Sequence, residues 1–242
     1  MPKLKTNKAA KKRYSYTATG KVKRTKSNRR HLLANKTSRA KARGSVLDAY
    51  ADKTCEAGIK KLLPYGIPVA KQYRMNYNKD DSKKILGLDI DKKYVLILTG
   101  SMGFGNITTM IKMLLNNTQK IRYIISCGNN VKLLKTIREE YKDNKRVTPI
   151  PFTKRLSEYI KSSEIVLTKP GGLTTTEVAT LRKPFIHTMP IPGCENYNAD
   201  FFSNRRMSIK CDTMEDVIVN TKKLIDDSNL QKEIIKNTEE MK

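Results

Sequence analysis

Two glycine-bearing loops hold the residues of this chain best suited to chemistry. The first is Gly100-Ser101-Met102-Gly103-Phe104-Gly105, which follows an apolar run and precedes a helical one. Its spacing is neither the dinucleotide fingerprint nor a Walker-type phosphate loop, which would need a Gly-Lys-Ser or Gly-Lys-Thr ending. Glycines at such a point still let backbone amides approach a phosphate at a helix N-terminus, although a glycine-rich turn there is commonly just a tight connection. The second loop is Lys169-Pro170-Gly171-Gly172-Leu173-Thr174-Thr175-Thr176-Glu177. Thr174 and Glu177 have capping-box spacing, so one role for Glu177 is a side chain returning to the helix N-terminus. The other gives the glycine backbone to a diphosphate and the Glu177 carboxylate to ribose hydroxyls. Spacing alone leaves both open.

A third chemical feature is charge. Residues 1–43 contain 16 Lys and Arg and no acidic residue, whereas residues 66–242 hold 30 basic and 20 acidic ones. A polycation of that density repels itself when compact and has little apolar surface to bury, so it orders against a polyanion. Nucleic acid is the obvious partner, with a disordered tail or a membrane-surface arm as the bland alternatives. The four cysteines, Cys55, Cys127, Cys194 and Cys211, form no CxxC pair and the chain has 2 histidines, which argues against structural zinc and against a disulfide framework. No apolar run approaches transmembrane length, and the N-terminus lacks the apolar core of a signal peptide. A cytoplasmic protein is the expectation.

The elements that must position these residues differ between the two parts. Early in the chain, Gly20-Lys21-Val22-Lys23-Arg24 suggests a turn feeding a short extended piece. Basic residues interleaved with Ala34, Ala40 and Ala42 favour a helix that is basic on most sides. Tyr14 and Tyr16 could stack on bases or pack locally, and His31, with no second ligand nearby, is a packing residue or a phosphate donor. From Gly66 onward, apolar runs alternate with amphipathic ones. The pattern predicts a helix over 80–86, a strand over 94–98, a helix over 107–115 and a strand over 122–126. Helices over 131–141, 156–161 and 174–181 then alternate with strands over 147–150, 165–167 and 184–187. Near-continuous apolar strands in such alternation argue for a parallel sheet covered on both faces, with ligands beyond the carboxyl ends of its strands.

The opening Met1-Pro2-Lys3-Leu4-Lys5-Thr6, the block Ala9 to Arg13, the Gly20 to Arg24 piece, the stretch Arg30 to Arg43 and the closing Lys60 to Tyr65 together resemble the bacterial large-subunit ribosomal protein numbered thirty-five. The likeness covers residues 1–65 in order. It implies a small, basic, mostly helical structural component that lies on large-subunit ribosomal RNA among ribosomal proteins, without catalysis. Phosphate contacts then fall to Lys3, Lys5, Lys11, Lys12, Arg13, Lys21, Lys23, Arg24, Arg29, Arg30, His31, Lys36, Arg39, Lys41 and Arg43.

The two glycine loops, with Pro190-Ile191-Pro192-Gly193-Cys194-Glu195-Asn196-Tyr197-Asn198-Ala199 after them, resemble the C-terminal domain of another family. That family contains the peptidoglycan lipid II synthase and the monogalactosyl and processive glucosyl diacylglycerol synthases, and the likeness is nearest to its diacylglycerol branch. The resemblance implies that residues 66–242 form a Rossmann-like α/β domain, half of a two-domain glycosyltransferase, binding a UDP-sugar such as UDP-glucose or UDP-galactose with no further cofactor and no metal. By the same likeness Gly100, Ser101 and Gly103 line the cleft. Gly171, Gly172, Leu173 and Thr174 approach the diphosphate, Glu177 holds the ribose, and Glu195 and Asn198 lie in the stretch that reads sugar hydroxyls. Cys194 stands where the family usually has Gln, and Phe104 where it has a small residue; Phe152 to Lys154 falls where the family closes around uracil. Family members carry their acceptor-binding half, with the general base, N-terminal to this domain, where this chain has the ribosomal-type module. Little or no transferase activity is therefore expected from the chain alone. Three histories stay open: a ribosomal component carrying a remnant enzyme domain, a transferase fragment completed by an acceptor domain on another chain, or a gene-model join of two separate proteins; a peripheral contact with a membrane lipid acceptor at the inner membrane face stays open beside the ribosomal location.

Overall fold

The computed structural model describes residues 14–16, 22–24, 37–39, 49–50, 69–74, 76–100, 107–190 and 194–239. The chain divides into two compact units, Met1–Gly66 and Ile67–Lys242.

In the first unit, strands β1 (Tyr14–Tyr16), β2 (Val22–Arg24) and β3 (Ala49–Tyr50) make an antiparallel sheet in the order β1-β2-β3. The extended piece expected after Gly20 is β2, whose Val22 is buried while Lys23 and Arg24 are more open to solvent. Ser38 and Arg39 are helical, inside the stretch whose alanine spacing predicts a helix. The remaining residues expected to touch RNA, from Lys3 to Arg13, Lys21, Arg29 to Lys36, Lys41 and Arg43, lie outside the described residues.

The second unit is a six-stranded parallel sheet built from β4 (Lys93–Leu98), β5 (Ile121–Ser126), β6 (Val147–Ile150), β7 (Ile165–Thr168), β8 (Phe185–Thr188) and β9 (Ile209–Cys211). Its spatial order is β6-β5-β4-β7-β8-β9, so the chain winds outward from β4 to one edge, then returns to start again beside it. Among the described residues eight helices accompany the strands: α1 (Lys79–Ile85), α2 (Ile107–Asn117), α3 (Val131–Glu140), α4 (Leu156–Ser162), α5 (Gly172–Thr180), α6 (Cys194–Asn204), α7 (Met214–Asp226) and α8 (Ser228–Thr238).

Strand alternation sends successive side chains to opposite faces, and both faces are dry. Val95, Ile97, Tyr123, Ile125, Ile165 and Leu167 join Met110 and Leu114 of α2, Ile137 of α3, Leu224 of α7 and Ile234 of α8 in one core. Tyr94, Leu96, Leu98, Ile124 and Val166 join Ile160 of α4, Val178 of α5 and Phe202 of α6 in the other. Each fully buried aliphatic side chain of this kind is worth about 1.5 to 3 kcal/mol. The helices on both faces therefore hold the strand ends, and the loops that leave them, in fixed relation.

Candidate functional site

The chain order reverses between β4 and β7, which are neighbours, and a doubly wound sheet opens its ligand crevice at such a reversal, beyond the strands' carboxyl ends. Gly100 lies just past β4 with φ 73, a left-handed conformation that strains any residue with a Cβ. A Cβ added there would sit 3.8 Å from Lys169 Cδ, and one added to Gly128 would sit 3.6 Å from the Gly100 carbonyl oxygen. Loops after β4, β5 and β7 thus converge on Gly100. Thr99 anchors the approach, its N–H and Oγ1 both donating to the Ser126 carbonyl at 3.3 and 2.9 Å. Ser101 and Gly103 lie outside the described residues.

On the other side of the reversal, the Gly171 N–H donates to the Lys169 carbonyl at 2.8 Å, and α5 starts at once. Gly171 is its N-cap, with φ −70 and ψ 133 and no side-chain cap. The first intrahelical bond runs from the Thr175 N–H to the Gly171 carbonyl at 3.0 Å. The N–H groups of Gly172, Leu173 and Thr174 consequently have no intrahelical acceptor and stand at the positive end of the helix, just past the carboxyl end of β7, an arrangement suited to a phosphate. No acidic side chain stands in that first turn to compete.

This geometry overturns the capping-box role for Glu177. The sequence pattern predicts the helix from Thr174, but the two glycines are themselves the cap and the first helical residue, so Thr174 is already inside the helix and Glu177 lies a turn further in. Glu177 instead meets Tyr73, whose hydroxyl donates to its carboxylate. Burial raises the Glu177 carboxyl above its ordinary pKa and the Tyr73 bond works against that rise. Burial and the neighbouring carboxylate push the Tyr73 phenol up to about 12, keeping it a donor at neutral pH. Tyr73 belongs to the 3-10 turn Lys71–Tyr73, a segment too short to show any periodicity in sequence.

Glu195 and Asn198 arrive on α6. Asn198 Nδ2 donates to the Pro170 carbonyl at 2.9 Å, fastening the helix to the loop that starts α5. Burial lowers the Lys169 ammonium and the charge of Glu195 acts against that fall, so this cation and carboxylate sit together at the mouth. Phe202 seats α6 by edge-on contacts to Phe185 at 5.7 Å and His187 at 5.8 Å. His187 is buried, and its Nε2 and Nδ1 lie 3.3 Å from Thr175 Oγ1 and 3.2 Å from Ser208 Oγ. Burial drives its pKa down to about 4, so it is a neutral brace between α5, β8 and the start of β9. Leu173 and Phe152 are exposed at the rim. Cys127 and Cys211 are buried free thiols, pushed by burial to about 11 and about 12. Among the described residues no group of three or more His, Cys, Asp or Glu could hold a metal ion, and no helix is long and apolar enough to cross a membrane.

A six-stranded doubly wound sheet with an uncapped glycine helix start at its reversal point defines a Rossmann-like α/β domain. The chain belongs to the family defined by the glycosyltransferase family 28 C-terminal domain, whose model matches residues 94–242. Residues 2–63 match the model of ribosomal protein L35, so the two units come from different families and the chain is their fusion. It is 32% identical over 160 residues, 64% of its own length and 40% of the relative's, to a processive diacylglycerol beta-glucosyltransferase of Staphylococcus saprophyticus. The same enzyme of Bacillus licheniformis is 28% identical over 174 residues, 71% of this chain and 45% of the relative. The chain thus spans less than half the length of these curated relatives. Among solved structures, Acinetobacter baumannii MurG superposes with a TM-score of 0.52 at 19% identity, covering 73% of this chain and 54% of that one. Anabaena Alr3699/HepE in complex with UDP-glucose does so with a TM-score of 0.57 at 13% identity, covering 73% and 50%. These likenesses give the fold.

Proposed function

We propose that the second unit binds a UDP-sugar in the β4–β7 crevice and that the first binds ribosomal RNA. The donor reading is carried by one observation: three backbone N–H groups at the start of α5, beyond the carboxyl end of β7, have no intrahelical acceptor, with Glu177 one turn behind them. A diphosphate on those amides, beside the Lys169 ammonium, would leave the ribose to reach Glu177. The hexose would reach Glu195 and Asn198 on α6, in a position to discriminate UDP-glucose from UDP-galactose. Phe152 at the end of β6 would then flank the base. The UDP complexes among the structural neighbours support this assignment.

For the first unit, the support is the acid-free run of 16 cations in residues 1–43 together with the family match over residues 2–63. Lysines and arginines that neutralise phosphates release counterions, so the affinity is salt-sensitive and directed by shape. Such a protein works in the cytoplasm on the ribosome. Any transfer to a diacylglycerol-type acceptor would need a second wall for the crevice, to orient the acceptor and exclude water. Calorimetry of the full chain with UDP tests the donor reading: weak binding with a 1:1 end point is expected, and absence of heat at millimolar UDP overturns it. Retention of ribosomal RNA from low to physiological salt without loss of affinity would overturn the phosphate-driven reading of the first unit.

A further inference from the structure

The edge of the sheet opposite the crevice, where the strands begin, carries a second feature. Turns entering β4, β5 and β6 and the end of α7 line a cavity of about 600 Å³. Six cations surround it, Lys92, Lys93, Lys120, Lys145, Arg122 and Arg146, against the carboxylates of Asp91 and Asp226. Two of the six are engaged within the fold. Arg146 donates to the carbonyls of Leu115, Thr118 and Ile121 at 3.2, 2.6 and 3.0 Å, closing the end of α2. Arg122 pairs with Asp89 at 3.4 Å. The four lysines are exposed and make no ion pair among the described residues.

Complementing helix ends does not account for them. The carbonyl ends of α2 and α7 reach this edge and together supply about one negative charge, with Arg146 already placed on the first. Counting Asp89, Asp91 and Asp226 against the six cations still leaves a surplus of about two positive charges. The shape selects among polyanions. A phosphodiester strand can enter a concavity between turns, while a bilayer surface cannot, and a membrane site calls for exposed apolar side chains at the rim. Of the apolar residues lining the cavity, Ile121 is buried and Ile225 is packed against the core, and among the described residues beside it only Ile90 is exposed, too little for a bilayer contact.

We propose that this strand-entry edge is a second RNA-backbone contact, engaged when the first unit sits on its RNA. It rests on the RNA reading of the first unit for its choice of polyanion. Covalent linkage to an RNA-bound unit raises the local concentration of phosphate at the edge, so modest charge suffices. With no aromatic residue lining the cavity to stack on bases, the contact is sequence-independent.

Lysine acetylation of the full chain, mapped by mass spectrometry with and without a structured ribosomal RNA fragment, tests the proposal. Lys92, Lys93, Lys120 and Lys145 are expected to be protected several-fold, and the exposed helix residues Lys132, Lys135, Lys232 and Lys236 to be unchanged. Replacing the four edge lysines by Gln should make the slope of log affinity on log salt shallower by about 3, because each phosphate left without its cation takes about 0.7 to 0.9 off that slope. Replacing the four helix lysines, an equal change of charge, should alter it little. Edge lysines acetylated equally with and without RNA while the N-terminal lysines are protected would overturn this proposal and leave the first unit's role standing. Protection of no lysine would overturn both, and edge protection by anionic vesicles in place of RNA would overturn the choice of partner.

Discussion

The ribose role of Glu177 separates cleanly from a structural one in the variant Glu177→Gln. Because Glu177 lies beyond the first turn of α5, the substitution removes no helix cap. The Gln carbonyl can still accept from the Tyr73 hydroxyl, so the link to the Lys71–Tyr73 turn survives. Burial also penalises the charged carboxylate, raising its pKa in the folded chain. By linkage, that group contributes stability that is present below its unfolded pKa and lost as pH rises through the raised folded value. A neutral Gln therefore leaves the neutral-pH fold no less stable. UDP affinity should behave differently. Loss of a charge-assisted acceptor for the ribose hydroxyls costs about 1 to 3 kcal/mol, or about 5- to 150-fold in Kd. Calorimetry of the full chain with UDP and with inorganic pyrophosphate gives the contrast, since pyrophosphate reaches the α5 amides without a ribose. UDP binding by the native chain should also weaken as pH falls through the raised Glu177 pKa, a component that Gln removes. Equal UDP affinity in both chains, or a matching loss for pyrophosphate, would refute the ribose role.

Gly171→Ala probes the phosphate directly. Gly171 has an ordinary negative φ and nothing within 4 Å of an added Cβ, so urea denaturation should show an unchanged fold, while UDP affinity drops at least tenfold because the methyl group occupies the space given to the diphosphate. Unchanged UDP affinity would remove the diphosphate from the start of α5. A further expectation concerns Lys183, buried with its Nζ donating to the Ser163 carbonyl at 2.8 Å and 5.1 Å from the centre of the Tyr77 ring. Burial lowers its pKa to about 7 from 10.5, so stability should rise with pH between those values, by up to about 1.4 kcal/mol per unit, and fall away as pH drops toward 7. Between about pH 7 and 9.5 the urea midpoint should shift upward by more in the native chain than in Lys183→Met, in which the buried Cys127 and Cys211 thiols still give a pH dependence of opposite sign; equal shifts in the two would show that Lys183 does not titrate in this window.

The parallel sheet was legible because its strands are buried on both faces. The runs 94–98, 122–126 and 165–167 are nearly all apolar, and the structure puts alternate residues of each into the two cores. The elements after β8 were not anticipated, for reasons that differ. Strand β9 is three residues long, Ile209-Lys210-Cys211, and shows too little alternation to register. Helix α7 had a signal in plain view, the capping box of Thr213 and Asp216 ahead of the stripe Val217, Ile218, Thr221 and Leu224. Helix α6 had none, because Cys194-Glu195-Asn196-Tyr197-Asn198 is rich in weak helix formers and α6 is held by tertiary contacts: Phe202 on Phe185 and His187, Asn198 on Pro170, and Asp200 on Lys210 at 2.9 Å.

The start of α5 shows most clearly where sequence reasoning on a site runs out. Thr174 and Glu177 satisfy the spacing of a capping box, and spacing says nothing of whether the helix has already begun. Two glycines decide it: lacking side chains, Gly171 and Gly172 can form the cap and first turn without covering the amides, where threonine as cap would have bonded them with its own hydroxyl. That leaves the α5 donors open to a ligand and frees Glu177 from the backbone. Glu177 then requires another partner, because a half-buried carboxylate left without donors is unfavourable. Tyr73 is that partner, brought from far earlier in the chain by the turn at 71–73, and no local pattern in the sequence joins the two. The loop's chemistry was therefore readable from its residue types, while the choice between cap and ligand-binding group depended on a contact that only the fold creates.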